Sequence, residues 1–244
     1  MVIVEPRSHF ALVVSAGSGQ RFGSHPPKQF QTISGKTVLE ICIENLTATR
    51  IFRHICVAVP AEWIMEAKQA LSQEVLSGSV SITTGGQTRR ESIANLVDHL
   101  GKTQTSLSGN ITVTLLDANR PLTSERVLRE NLDNAILHGA SCPVIPITNG
   151  TAFVDGDAMI TSVPSKENIV QIVTPETATW ATLQAIENST RSSETLLGLA
   201  EMYTALGHSF GSVEGDRFCF KITNPEDWPH FKALYEERIA SGDS

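Results

Sequence analysis

Residues 11–21 read Ala11-Leu-Val-Val-Ser-Ala-Gly-Ser-Gly-Gln-Arg21, an apolar run that passes straight into a glycine-bearing turn with a positive charge behind it. Ala11–Ala16 has the length and composition of a strand buried on both faces, and such strands belong to parallel sheets. Glycines directly after the strand let backbone N–H groups approach an anion, and Arg21 and Lys28 add positive charge nearby. The turn is not a Walker A loop, since G-x-x-x-x-G-K-[ST] is missing. Nor is it a dinucleotide fingerprint, because Gly23 falls one residue too late for G-x-G-x-x-G. Taken alone, it reads equally as a plain strand-to-helix connection.

Working outward, strands alternate with helices. Val38–Leu46 carries apolar residues at helical spacing, Ile55–Val59 reads as a strand, Trp63–Leu71 as a helix and Val80–Thr84 as a strand. Glu91–Leu100 reads as a helix, Ile111–Leu116 as a strand ending at Asp117, and Ser124–Leu137 as a helix. This order predicts an α/β fold with a mostly parallel twisted sheet flanked by helices. Ligands bind such sheets beyond the carboxyl ends of the strands, so Ser15–Gly19, Thr84–Gly86 and Asp117 are expected on one rim. After Pro143 the pattern changes to short strands at 143–147, 151–156 and 159–163, which predicts an antiparallel arm. Helices near 181–188 and 195–206, strands at 210–213 and 218–223, and a last helix opened by Asn224-Pro-Glu-Asp227 complete the chain. One domain, residues 1–244, with an arm at about 147–173, is the expected organisation.

Composition narrows the function classes. The chain has 244 residues, 41% of them apolar and 18% charged, which is ordinary globular usage. A formal charge of −7 argues against a nucleic-acid partner, which requires a basic face. Cys42, Cys56, Cys142 and Cys219 are scattered, and the seven histidines show no H-E-x-x-H, so neither a disulfide framework nor a zinc site is expected. With no apolar run near the roughly 18 residues of a membrane span, and no signal-peptide pattern, the reading is a cytoplasmic protein with no membrane partner.

Further segments follow the glycine turn in order: Pro27-Lys-Gln29, Gly85-Gly-Gln-Thr-Arg-Arg-Glu-Ser92, Asp117-Ala-Asn-Arg-Pro121, Thr174-Pro175 and Lys221-Ile-Thr-Asn-Pro-Glu-Asp227. Together with Ser15–Arg21 they resemble the signatures of the 2-C-methyl-D-erythritol 4-phosphate and ribitol-5-phosphate cytidylyltransferase family, over about residues 10–240. The resemblance implies the Rossmann-like fold of nucleotide-diphospho-sugar transferases, transfer of CMP from CTP to a polyol phosphate with release of pyrophosphate, and Mg²⁺ as cofactor. It also implies a homodimer built through the arm. By that resemblance Arg21, Lys28 and Lys221 are catalytic, acting on the triphosphate. Ser15, Ala16, Gly17, Gly19, Gly86, Ser92 and Ala118 bind the nucleotide, and Asp117 holds the metal. Arg120, Thr151, Lys166 and Thr174 hold the acceptor phosphate. The chemistry suits these residue types, since two anions must be brought together and charge builds at the α-phosphorus.

Each residue also has a plainer reading. Arg21 and Lys28 fit solvated surface charges, Asp117 a turn cap paired with Arg120, Lys221 a lysine leaning from a strand edge, and Ser92 a serine serving nearby backbone. The chain departs from the family pattern at several places. Phe218 stands where an acid is usual, with Asp216 as its candidate replacement, and Glu176 stands for glutamine. Lys166 replaces arginine, and the T-D-E segment is missing, with Ser193-Glu194-Thr195 a poor echo. Val163-Pro-Ser-Lys166 leans towards the ribitol branch, making either a pentitol phosphate for a surface polymer or methylerythritol phosphate for isoprenoid precursors the expected acceptor. The competing expectation is a catalytically weakened relative that serves as a dimeric binding or scaffold protein.

Overall fold

The opening strand, β1 (Ser8–Val14), lies in the middle of the sheet, and its alternating side chains divide the core. Phe10 and Leu12 point into one apolar cluster with Ile93, Leu96, Leu100, Leu183 and Ile186; Ala11 and Val13 point into another with Leu39, Cys42, Ile43, Leu46 and Leu128. Helices therefore cover both faces of β1, which is why its sequence is apolar without alternation. Each fully buried large aliphatic side chain contributes about 1.5–3 kcal/mol, so these two clusters dominate the stability of the sheet. The computed structural model describes residues 8–17, 26–71, 76, 78–104, 111–191 and 198–241.

The short hairpin β2 (Thr32–Ile33) and β3 (Lys36–Thr37) leads into the helix Val38–Ala48, where Thr37 and Glu40 form a reciprocal capping box. Strands β4 (His54–Val59), β5 (Val80–Thr84) and β6 (Ile111–Asp117) follow, with β1 parallel to both β4 and β6, and β4 parallel to β5. Helices Ile64–Ala70, Arg89–Thr103 and Glu125–His138 connect them, the last two capped by Thr88 and Ser124. Apart from the hairpin, which the sequence reading does not contain, these elements lie within three residues of their expected bounds.

Beyond the helix Glu125–His138 the sequence is less transparent. Strand β7 (Ala140–Pro146) begins three residues earlier than expected, and from its end the chain leaves the sheet through β8 (Phe153–Val154) and β9 (Ile160–Ser162), an antiparallel pair. It returns as β10 (Val170–Ile172), antiparallel to β7, and β11 (Glu176–Thr179), antiparallel to both β6 and β7. The sheet order is β10-β7-β11-β6-β1-β4-β5, so β11 fills the place between two strands that run the same way. Nothing in Glu-Thr-Ala-Thr announces a buried strand. It is stable there because its polar groups are paired: Thr177 meets the Thr114 hydroxyl at 2.9 Å, and Asn131 donates to Thr177 Oγ1 at 2.8 Å and to the Pro175 carbonyl at 2.9 Å.

Helices Trp180–Thr190 and Leu199–Ala205 precede β12 (Gly211–Glu214), which runs parallel to β7. The expected strand at 218–223 does not form. Residues Arg217–Cys219 make a single 3-10 turn capped by Asp216, and the segment after it is irregular. Its backbone partners belong to a loop rather than a strand: Ile222 N–H donates to the Asn119 carbonyl at 2.9 Å, and the Arg120 guanidinium donates to the Cys219 carbonyl. The final helix begins at Asp227, later than Asn224, because Pro229 has no N–H to bond back to Pro225; the Asp227 carboxylate accepts the Thr223 and Asn224 N–H groups at 2.7 and 2.8 Å and steadies the turn before it. No helix among the described residues is long and apolar enough to cross a membrane.

Arg90 and Glu187, with side chains each 4% exposed, join the helices Arg89–Thr103 and Trp180–Thr190 through one 2.7 Å contact. Glu187→Ala, which strands the buried guanidinium, is expected to lower stability by about 3–5 kcal/mol. The double change Arg90→Met with Glu187→Leu is expected to cost far less, and urea unfolding of both variants measures the difference.

At the other edge, the Ser81 hydroxyl stands 2.9 Å from the rings of both His54 and His99. Burial and the neighbouring His99 lower the His54 pKa, and burial and Lys102 lower that of His99. A lowered histidine pKa contributes stability that is fully present above the ordinary value of about 6.5 and is lost as pH falls through the folded value. Melting temperature is therefore expected to fall from pH 7.5 to 5, and less steeply in His54→Asn/His99→Asn.

Candidate active site

Parallel strands end on one rim, and the loops behind β1, β5 and β6 meet there. Ser15 N–H continues the ladder to the Ala58 carbonyl at 2.8 Å, Gly85 N–H reaches the Val59 carbonyl at 2.8 Å, and Ala118 N–H reaches the Val14 carbonyl at 3.0 Å. The approach of the first two loops is close: a Cβ built on Gly85 would lie 2.1 Å from the Ala16 Cβ, and one on Gly86 would lie 2.1 Å from the Glu91 Cβ. Only glycine fits at either position. Of the stretches Ser15–Gly19, Thr84–Gly86 and Asp117 expected on one rim, the described residues 15–17, 84–86 and 117 lie there.

Asp117 terminates β6 with its carboxylate 9% exposed. Lys221 Nζ lies 2.7 Å from Oδ2, and the Arg89 guanidinium donates to Oδ1 at 3.1 Å. Burial alone would raise the pKa of this acid, but Arg89, Lys221 and Arg120 more than offset it and hold the carboxyl ionised, well below the usual range. Asp117 is therefore an ion-pair centre, not a turn cap. Arg89 also faces Glu176, at 3.7 Å.

Lys28 sits at the start of a 3-10 turn, and its Nζ donates to the Ile222 carbonyl at 2.9 Å. That bond brings the lysine behind the glycine turn to the residue next to Lys221. Gln29, buried beside it, donates to the Ser15 and Gly17 carbonyls at 2.8 and 3.2 Å and so holds the start of the turn. Gly19 and Arg21 lie outside the described residues, as do Ser193-Glu194-Thr195.

The remaining candidates are placed as follows. Ser92 is buried; its hydroxyl accepts the Gly86 N–H at 3.0 Å and donates to the Thr88 carbonyl at 2.9 Å, so its backbone-serving role is realised and it shapes the Gly86 loop. Arg120 turns under the irregular segment to the Cys219 carbonyl, and burial lowers its pKa against the pull of Asp117. Thr174 is buried ahead of β11, and its Oγ1 has no partner among the described residues. Thr151 and Lys166 stand on the arm, where Lys166 Nζ donates to the Thr148 carbonyl at 2.9 Å. Asp216 is engaged with groups other than those around Asp117. One oxygen accepts the Phe218 N–H at 2.9 Å, and the other faces the Ser124 hydroxyl at 2.5 Å and Arg126 at 3.5 Å. Phe218 packs against the cluster of Ile222, Phe231 and Leu234, with the Arg217 and Arg238 guanidinium groups near its ring. That position has become part of the apolar floor under the last helix.

Sequence reading does not single out Arg89, Glu176 or Gln29 as site residues. Arg89 and Gln29 are visible only as members of motifs, and Glu176 only as a departure from one. Each acts by touching another protein group, which spacing along a chain does not reveal. As for a metal, no group of three or more His, Cys, Asp or Glu side chains among the described residues is arranged to hold one. The donor set at Asp117 is a single ionised carboxylate, which suits Mg²⁺ shared with phosphate oxygens and not an all-protein cage.

Solved structures with the same fold include 4-diphosphocytidyl-2C-methyl-D-erythritol synthase from Anaerococcus prevotii, 18% identical, with a TM-score of 0.78 over 96% of this chain and 98% of that one. Another is 2-C-methyl-D-erythritol 4-phosphate cytidylyltransferase from Thermus thermophilus, 25% identical, with a TM-score of 0.70 over 92% and 97%. A third is the corresponding enzyme of Francisella tularensis, 18% identical, with a TM-score of 0.76 over 93% and 99%. The family model IspD, 2-C-methyl-D-erythritol 4-phosphate cytidylyltransferase, matches residues 9–237, and the chain belongs to that family.

Proposed function

We propose that the protein transfers CMP from CTP to 2-C-methyl-D-erythritol 4-phosphate and releases pyrophosphate. The observation that carries this reading is the pairing of the buried Asp117, at the carboxyl end of β6, with Arg89 and Lys221, next to the Ile222 carbonyl that holds Lys28. In a chain of net charge −7, this concentration of cations supports a polyanionic ligand at the rim. In the reaction, an acceptor phosphate oxygen attacks the α-phosphorus of CTP, and the bond from that phosphorus to the bridging oxygen of the leaving pyrophosphate breaks. Lys28 and Lys221 neutralise charge on the triphosphate as it builds. Arg21 is assigned the same task from the glycine turn. Ser15, Ala16, Gly17, Gly19 and Ala118 offer backbone to the nucleotide, and Ser92 contributes by holding Gly86.

Mg²⁺, when bound by Asp117 together with phosphate oxygens, supplies further neutralisation of the two anions. Arg120, Thr151, Lys166 and Thr174 are assigned to the acceptor. Lys166 keeps the charge of arginine but not its two-pronged geometry, so its grip is less directional. The exposed Phe153, Ile160 and Val163 support burial of the arm against a second copy of the chain, in a homodimer whose arms reach the neighbouring site. Family membership favours methylerythritol phosphate over the pentitol phosphate suggested by residues 163–166.

The test is pyrophosphate release from CTP and Mg²⁺ with 2-C-methyl-D-erythritol 4-phosphate, alongside ribitol 5-phosphate. Turnover with the first is expected; folded protein inert towards every acceptor and nucleotide removes the enzyme reading in favour of a binding or scaffold protein. Lys28→Ala is expected to lower kcat by about 10²–10³-fold or more without changing the melting temperature. Lys166→Ala is expected to raise KM for the acceptor and leave KM for CTP unchanged. Mixing inactive Lys28→Ala with Lys166→Ala is expected to recover more activity than either alone, since one site of the mixed dimer keeps both lysines. Strict additivity rejects the shared arm.

A further inference from the structure

Glu176 holds two groups at once. It is 3% exposed, at the start of β11, and its Oε1 accepts the Ala200 N–H at 3.0 Å. Gly198, the residue before the helix Leu199–Ala205, has no side chain with which to cap it, and a Cβ there would lie 3.0 Å from that same oxygen. Glu176 thus supplies, from across the sheet, an acceptor that the helix start lacks. Its other oxygen faces Arg89 at 3.7 Å, and Arg89 in turn donates to Asp117 at 3.1 Å. One guanidinium is shared between two buried carboxylates.

The sharing has an electrostatic consequence. Around Asp117 the chain places Arg89, Arg120 and Lys221 against Asp117 and Glu176. The Arg89 Nε and Nη2 already converge on Asp117 Oδ1, each at 3.1 Å, and with a neutral amide at position 176 the guanidinium loses a second carboxylate that shares its charge. Asp117 would then carry less uncompensated charge. Burial raises the Glu176 pKa, and Arg89 with the Ala200 and Leu199 N–H groups opposes that rise, so the guanidinium is itself part of what keeps this acid charged.

We propose that Glu176 is a positioning residue that, by sharing the charge of Arg89, keeps Asp117 attractive to a divalent cation and ties that setting to the helix Leu199–Ala205. The inference rests on the assignment of Asp117 as the metal-holding group. Glu176→Gln preserves shape and an acceptor for the Ala200 N–H while removing the charge, so its melting temperature is expected to stay close to the parent's. Mn²⁺ binding, followed by electron paramagnetic resonance in the presence of CTP and without acceptor, is expected to weaken roughly five-fold. In steady-state assays with the acceptor, the Mg²⁺ concentration for half-maximal rate should rise while kcat at saturating metal changes little.

A double-mutant cycle with Arg89→Leu separates this from a packing effect: Glu176→Gln should have no further influence once Arg89 is gone. Glu176→Gln with unaltered Mn²⁺ affinity, or with an effect that persists in full beside Arg89→Leu, overturns the proposal and leaves the catalytic reading standing. A parent protein that turns over CTP but whose Mn²⁺ binding is unmoved by Asp117→Asn overturns both the metal assignment and the role of Glu176.

Discussion

A carboxylate sealed at the end of a central strand must be answered by positive charge, and Asp117 is answered from two separate parts of the chain. Arg89 comes from the start of the helix behind β5, and Lys221 from the irregular segment after β12. The desolvation of such an ion costs several kcal/mol unless its partners are held in place, so the elements that carry those partners are fixed by the same requirement. Segment 217–223 shows this most clearly. It gives up strand geometry in order to dock its backbone on Asn119 and Arg120, and that docking delivers Lys221 to Asp117 and the Ile222 carbonyl to Lys28.

The molecule divides its work between a firm rim and an exposed arm. At the rim, backbone ladders extend past the strand ends and glycines allow loops to touch, so groups are set to within small distances before any ligand arrives. Preorganisation of this kind is what stabilisation of developing charge demands, because polar groups that must reorient during reaction lose much of their effect. On the arm, Lys166 is held by a backbone carbonyl of the arm itself, and large apolar side chains face outward.

Much of the first half is readable from periodicity, because Phe10–Val13, Val38–Leu46 and Ile111–Leu116 are buried by helices on regular faces. The later elements are harder for a physical reason. Glu176–Thr179 is buried through paired hydroxyls and an asparagine, and neither signal has a period. Lys221-Ile-Thr223 resembles a strand by composition, yet the Ile222 N–H is spent on the loop at Asn119, far away along the chain. At the candidate site, motif order points to Lys28, Asp117 and Lys221. It does not show that Arg89 faces two acids, that Gln29 pins the glycine turn, or that Asp216 is engaged with Ser124 and Phe218. Those facts belong to contacts between distant segments.

The placement of β11 between β6 and β7 has a bearing on how the chain is made. Synthesis delivers residues 111–146 well before residue 179, so β6 and β7 leave the ribosome with the strand that joins them still missing. Until Glu176–Thr179 arrives, the central strand of the nascent sheet presents an open hydrogen-bonding edge, the kind of template on which unfinished chains associate. The excursion through β8 and β9 is therefore also a delay before the strand between β6 and β7 can be fitted.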